Sequence, residues 1–481
     1  MKSRPAQCPE MHTAEPQYHE GRIVKLKVSI LGWVLVALAV CGVTLAANEP
    51  TAHPGPKVTE KILYRFTGGA DGVHPNRGVI LDRAGNLYGT TSGTPFGQSN
   101  GCKDCGTVFE ISRETHAERT LHRFYAGADG ANPDAGLTFG RTGNLYGTTQ
   151  FGGPNCGRWV ATGCGTVFQI AAQGQTRCEA LCGTQFQITN RVHAETIRWS
   201  SPPNGASMPT GGVIMDAAGN LYGTTSTGSC GHGHYGCGIV FEIPAGARRA
   251  LILHTFAGGD KDGFPKRRLV MDARGNLYGM TWAIDLRHPF FGIVFEIVAG
   301  THVEKTLHRF SGGRDGGTPE GDLILDKNGD LFGVTQFGGG FCNSGVGPGT
   351  DASGCGVVFE IAAGTDKESI LYRFKGGQDG IEPDGLVMDS AGNLFGVTSS
   401  GGECAVSRYG CGTVFEIAAG SHKKTTLYRF KGGRDGETPE GALVMDHAGD
   451  LFGTTSLGGK NCPAGAEIGP GCGTIFEIIR K

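Results

Sequence analysis

Residues 230–237 read CGHGHYGC, two thiols and two imidazoles within eight residues. Cys230, His232, His234 and Cys237 are the side chains that bind zinc, and four such donors suffice for a tetrahedral ion. Structural zinc sites usually divide their ligands into two separated pairs, however. The two cysteines also have counterparts along the chain: Cys102/Cys105, Cys156/Cys164, Cys342/Cys355, Cys404/Cys411 and Cys462/Cys472. A further pair, Cys178/Cys182, lies in an apparent insertion at residues 171–190. The equivalent stretch at 281–292 lacks both members. Presence or loss as pairs is what disulfides produce, so disulfides are the preferred reading. In an oxidising compartment each bridge adds roughly 2–3 kcal/mol. The Cys102–Cys105 spacing also suits a redox motif or half a zinc site, but no βαβ context and no regular second CxxC accompany it.

Other residues with chemical potential occur once, outside any repeat. Trp159, Trp282, His232, His234 and His288 are the candidates for ligand binding. Acidic GGxDG turns place Asp71, Asp315, Asp379 and Asp435 at equivalent points. Calcium takes six to eight oxygens, so one carboxylate per turn reads as a turn-former, and GDKDG at 259–263 is the strongest calcium candidate among them. No GxSxG, HExxH, Walker or kinase signature is present. Lys+Arg number 43 against 45 Asp+Glu, a net charge of -2, which argues against a nucleic-acid partner. No cofactor and no catalytic residue are expected.

The elements that hold these residues come from a repeat. GNLYGTT at residues 85–91 recurs in close variants at 143, 219, 275, 329, 392 and 449, at intervals of 54 to 76 residues. Glycine accounts for 84 of 481 residues, and its periodic placement among Leu, Val, Phe and Tyr argues for order. Each unit holds four short strand candidates. Around residue 385 they are GLVMD, LFGVT, TVFEI and TLYRF, and Asp389 and Gly392 suit an Asp-led turn ending in a positive-φ glycine. Four strands per unit, repeated radially, predict an all-β, seven-bladed β-propeller. The first strand phrase is ILYRF at 62–66, a fourth-strand phrase, and the last is TIFEI at 474–478, a third-strand phrase. That offset predicts a shared closing blade, which hides two sheet edges. Glu110 and Arg123, Glu296 and Arg309, Glu360 and Arg373, and Glu416 and Arg429 all stand thirteen residues apart. They are expected to pair across the third and fourth strands, with Phe109 opposite Phe124 and Phe415 opposite Phe430.

Arg22, Lys25 and Lys27 precede an apolar run over 28–47 that ends in small residues. Residues 1–47 therefore read as a cleaved secretory signal, with an uncleaved membrane anchor as the alternative. Residues 48–58 form a linker and 59–481 the propeller.

The phrases GNLYGTT, CGTVFEI and LYRFxGGxDGxxP together resemble the GloVer-type tandem repeat of exported "choice-of-anchor" surface proteins, over residues 60–478. The third unit departs, with IRWSSPPNGASMP at 197–209. The resemblance implies an extracellular propeller-like protein and brings no catalytic residues with it. The expected function is a non-enzymatic binding scaffold, extracellular or in the cell envelope, for a carbohydrate or protein surface. The alternative is a secreted propeller enzyme acting on polysaccharide.

Overall fold

The computed structural model describes residues 58–481 except 94–104, 127–128, 153–164, 174–184, 188–190, 194–207, 228–236, 248–249, 259–260, 283–290, 343–353, 403, 405–409 and 460–470. The expected signal, Trp159, His232, His234, His288, Cys102, Cys156, Cys164, Cys178, Cys182, Cys230 and Cys462 lie outside these residues.

The described chain forms seven antiparallel sheets, the blades of a propeller. Blade one runs outward from Val79–Leu81 through Leu87–Thr91 and Thr107–Ile111 to Glu118–Arg123. Blade six repeats the plan as Ile381–Met388, Leu394–Ser400, Thr413–Ile417 and Lys424–Arg429. Blade seven takes three strands from the end of the chain, and its outer strand is Val58–Arg65. Val58 pairs with Arg480 and Arg65 with Thr474, so the shared closing blade is present. In blade two the outer strand is Arg191–His193, and the insertion adds Gln185–Gln187 against the end of Thr166–Gln173.

The repeated phrases are packing instructions. Gly89 stands opposite Phe109, and a Cβ there would lie 2.5 Å from the Phe109 ring. Gly147 and Phe168, Gly333 and Phe359, and Gly453 and Phe476 repeat the fit, so the second glycine of GNLYG exists to seat the phenylalanine of TVFEI. Asp82 accepts from the Asn86 N–H and side-chain amide, both at 2.9 Å, and Gly85 sits at φ 84°. That is the expected Asp-led turn, repeated by Asp389 with Gly392 at φ 86°.

Neighbouring blades meet through one recurrent joint. The carbonyl of Cys411 accepts from the Thr438 N–H at 3.1 Å, and Pro439 packs on Gly412. Cys355 and Glu382, and Cys105 and Asn132, make the same bond at 3.1 and 2.8 Å. The residue before each of these prolines has positive φ: Asn132 at 55°, Glu382 at 58°, Thr438 at 57°. The CG dipeptide of one blade and the proline of the next thus form a single unit.

The third-to-fourth-strand register differs from the expectation. Glu110 faces Arg119, whose Nε donates to it at 2.8 Å, while Arg123 stands opposite Thr107. Likewise Glu296 faces Lys305, Glu360 faces Ser369 and Glu416 faces Thr425. Two local causes shorten the hairpin. His116 at φ 54° closes a tight turn by donating its N–H to the Ser112 carbonyl, and a bulge between Val108 and Phe109 skips a residue. The displaced arginines clamp the turn that enters their own blade. The Arg373 Nε donates to the Arg314 carbonyl at 3.1 Å, and the Arg65 Nε to the Arg434 carbonyl at 2.9 Å. Phe109 does not face Phe124 either. It meets Phe66 of the preceding outer strand edge-on at 5.1 Å, and Phe124 meets Phe168 of the following blade at 5.2 Å. The aromatic pairs join blades rather than strands.

Candidate ligand-binding site at the central channel

The inner strands leave a cavity of about 510 Å³, lined from Val79 in blade one round to Val444 in blade seven. Toward the Asp-led turns it is apolar, with Ile80, Met215, Met271 and Leu325 on its wall. Arg77, Arg268 and Asp322 close its other end. Beyond them, toward the cysteine-bearing loops, the channel is charged.

The charge comes from the residues that follow the inner-strand proline, where the repeat breaks its own pattern. After the proline stand Asn76, Asp134, Thr210, Lys266, Glu320, Asp384 and Glu440, and next come Arg77 and Arg267 in two of the blades. Arg77 of blade one grips Asp134 of blade two with two bonds of 2.8 Å, and Asn76 adds a third at 2.9 Å. Burial opposes the Arg77 charge, and Asp134 more than offsets it, so its pKa is raised. Arg267 pairs with Glu320 and lies 3.9 Å from Asp384. Arg268 binds Asp322 at 3.2 Å and reaches past blade three to the Leu137 carbonyl at 3.3 Å. Arg77–Asp134, Arg267–Glu320 and Arg268–Asp322 join neighbouring blades, while the contacts of Arg267 with Asp384 and of Arg268 with Leu137 each span a blade between.

The ring is not fully satisfied. Glu320 and Asp384 are 7% and 6% exposed, and one carboxylate oxygen of each lacks a hydrogen bond, as does the Arg267 Nε. Burial, then Asp384, pushes the Glu440 carboxyl up to about 7, against Arg77 and Lys266. Burial lowers the Lys266 pKa, and Arg77 lowers it further.

Of the residues expected to bind ligand, Trp282 is described. It ends the second strand of blade four opposite Phe264, with the two rings edge-on at 5.7 Å. The Lys266 ammonium lies 4.3 Å from its ring centre, and its indole N–H is buried without a partner. Trp282 thus belongs to the charged mouth of the channel. The channel residues themselves escaped the sequence reading. Their signal was the position after the inner-strand proline, where the units differ in charge.

Cys342–Cys355 and Cys404–Cys411 are disulfides, as expected. Cys105, Cys237 and Cys472 are disulfide-bonded as well. Cys404, Cys411 and Glu437 come close enough for a metal ion, but the two thiols are consumed by their bridge. In the GGxDG turns the aspartate organises its own loop. Asp71 accepts from the Thr67 N–H at 2.7 Å, the Gly69 N–H at 3.1 Å and the Tyr64 hydroxyl at 2.9 Å. Asp262 of GDKDG accepts from the Ala257 and Gly258 N–H groups at 2.9 and 2.7 Å.

Three stretches, residues 52–181, 165–347 and 344–481, match the model of the Gloeobacter/Verrucomicrobia repeat. The chain belongs to the Gloeobacter/Verrucomicrobia repeat family. No curated protein matches it. Among solved structures, this Gloeobacter/Verrucomicrobia repeat protein is similar to the extracellular domain of a hybrid two component system from B. thetaiotaomicron, at 12% identity and TM-score 0.46. The match covers 88% of this chain and 41% of that one. It is also similar to an oligogalacturonate lyase from Vibrio parahaemolyticus, at 6% identity, TM-score 0.48 and coverage of 88% and 98%. A periplasmic gluconolactonase from Pseudomonas aeruginosa follows at 14% identity, TM-score 0.45 and coverage of 82% and 99%. These likenesses concern the fold alone.

Proposed function

We propose that this repeat propeller is an exported, non-enzymatic binding protein that takes its ligand at the charged mouth of the channel and the loops around it. One observation carries the reading. The position after the inner-strand proline varies round the ring, with Asn76, Asp134, Thr210, Lys266, Glu320, Asp384 and Glu440 in the seven blades. A ring of near-identical units acquires a specific site only where its units differ. The disulfides support export, since such bonds persist in oxidising compartments. Trp282 beside Lys266 adds a rigid amphipathic side chain of the kind that contacts carbohydrate and protein surfaces. The test is a glycan and protein-surface binding screen of the mature protein. Trp282→Ala should weaken the best ligand about tenfold while leaving the melting temperature within a few degrees. Unchanged binding would overturn the assignment of the mouth.

The enzymatic reading has one observation in its favour. Glu440, held near 7 beside Asp384, has the protonation range of a general acid. Polysaccharide turnover lost in Glu440→Gln would replace the binding reading with that one.

A further inference from the structure

The closed end of the apolar chamber carries a second departure from the repeat. The residue that precedes Val79 and its counterparts in the other inner strands is Gly78, Gly136, Gly212, Gly385 or Ala442 in five blades. Small residues let the blades approach closely there. A Cβ on Gly78 would fall 2.2 Å from the Ala442 carbonyl oxygen, and one on Gly385 would fall 2.5 Å from the Ala442 Cα. Blades four and five place Arg268 and Asp322 at this position instead. A cation and an anion thus stand side by side in a girdle otherwise built of glycine and alanine.

The pair is held in place but not used up. The Arg268 main-chain N–H and Nε donate to the two Asp322 oxygens at 3.1 and 3.2 Å. Nη1 reaches the Leu137 carbonyl at 3.3 Å and the Thr138 hydroxyl at 3.4 Å. Among the described residues, Nη2 has no hydrogen-bond partner, and each Asp322 oxygen keeps room for a second donor. Both side chains are 27% exposed, and both line the cavity of about 510 Å³. Arg77, the other cation on this wall, is spent on Asp134 through two bonds of 2.8 Å. The volume lies within the roughly 300–1,000 Å³ of small-molecule sites.

We propose that this chamber binds an apolar α-amino acid as its zwitterion. The ligand carboxylate accepts from the Arg268 Nη2, its ammonium donates to Asp322, and its side chain lies along Ile80, Met215, Met271 and Leu325. Charge decides the class. Arg268 with Asp322, and Arg77 with Asp134, leave the closed end without net charge, so a ligand with a lone charge attracts one member of the pair and is repelled by the other. A zwitterion meets both. A neutral polyol would suit the same donor and acceptor but would leave the methionine and leucine wall without an apolar partner. The site lies on the apolar side of Arg268, away from the charged mouth, and is independent of the ligand proposed there.

The test is calorimetric titration of the mature protein with L-leucine, L-methionine and L-phenylalanine, and with the two halves of leucine's charge, isoamylamine and isocaproate. Wild type should bind at least one of the amino acids at one equivalent. The single-charge analogues should bind at least about tenfold more weakly, the effect of losing one charged hydrogen-bonded contact. Arg268→Gly and Asp322→Ala, which copy blades three and seven, should weaken the amino acid by a similar factor. Should either variant fail to fold, Arg268→Gln and Asp322→Asn keep the shape more closely and should show the same loss. Silence of wild type toward all three amino acids, equal binding of a single-charge analogue, or full binding by the variants overturns the proposal.

Discussion

The His74 N–H, at the entrance to the first inner strand, donates to the carbonyl of Cys472 in the last blade at 3.0 Å. Beside it, Pro75 packs on Gly473, where a Cβ would fall 2.5 Å from the ring. The seam between the chain's two ends is therefore the same joint that links blades one and two, five and six, and six and seven. Outside that joint, the outer strand of blade seven is the one element brought from the far end. Deleting residues 57–66 removes Val58–Arg65, with its ladder to Thr474–Arg480, and Phe66 with its contact to Phe109. The truncated protein should melt at least about 10 °C lower or fail to fold, as read by calorimetry. An unchanged melting temperature would rule out closure by this strand.

The cysteines tie the loops to these joints. Cys355 and Cys411 are fully buried, and their carbonyls hold the next blade. Replacing Cys342 or Cys404 by serine should cost roughly 2–3 kcal/mol each in denaturant unfolding. Non-reducing peptide analysis should link Cys342 to Cys355 and Cys404 to Cys411. Free thiols at these positions in exported protein would contradict the assignment.

Arg267 tests the channel lock. Its guanidinium is the partner of Glu320 and lies beside Asp384, both of which are buried. Arg267→Ala leaves Asp384 without its nearest cation and Glu320 with Lys266 alone, at 3.5 Å, and should destabilise by about 3–5 kcal/mol. Arg267→Ala with Glu320→Ala should recover part of that loss. A double variant that is as unstable as the sum of the singles would show that the pair is not coupled.

Three carboxyls set a pH dependence. Glu60, Glu368 and Glu440 are raised from 4.5 to about 7, in each case first by burial and then by a facing aspartate. The folded protein holds these protons where the unfolded chain has released them, so stability rises as pH falls from about 7 toward 4.5 and is lost in the other direction. His254 and His308, lowered from 6.5 by burial, oppose this below about 6.5. With chelator present, the melting temperature should climb between about pH 8 and pH 6.5. Glu368→Gln should flatten the climb, and an identical slope in that variant would refute the linkage.

The blades, their order and the closing strand were legible because each rests on short-range patterns: glycine opposite phenylalanine, aspartate before a positive-φ glycine, and a one-strand offset. The hairpin register was not. The spacing of Glu110 and Arg123 mimics a cross-strand pair, and only the His116 turn and the bulge at Val108 reveal that Arg119 takes the partner's place. The channel was hidden for a different reason. Arg77 and Asp134, or Arg268 and Leu137, meet through the ring geometry and not through any local motif. Around Lys424 only half was legible: Asp379 stood out within its GGxDG turn, while no motif marks the lysine that bonds it.

The closing sheet also has a kinetic meaning. Val58–Arg65 is made early, and its partner Thr474–Arg480 is made last. Each other outer strand follows its partner within the same unit and can form as its blade emerges. This one must wait through the synthesis of all seven blades, with its edge unpaired. Bringing the two segments together costs only logarithmically more than closing a shorter loop. Contacts so distant in sequence nevertheless slow folding. The last step of maturation is thus a single ring-sealing event, and until it occurs the half-built disc presents two open β edges to whatever chains surround it.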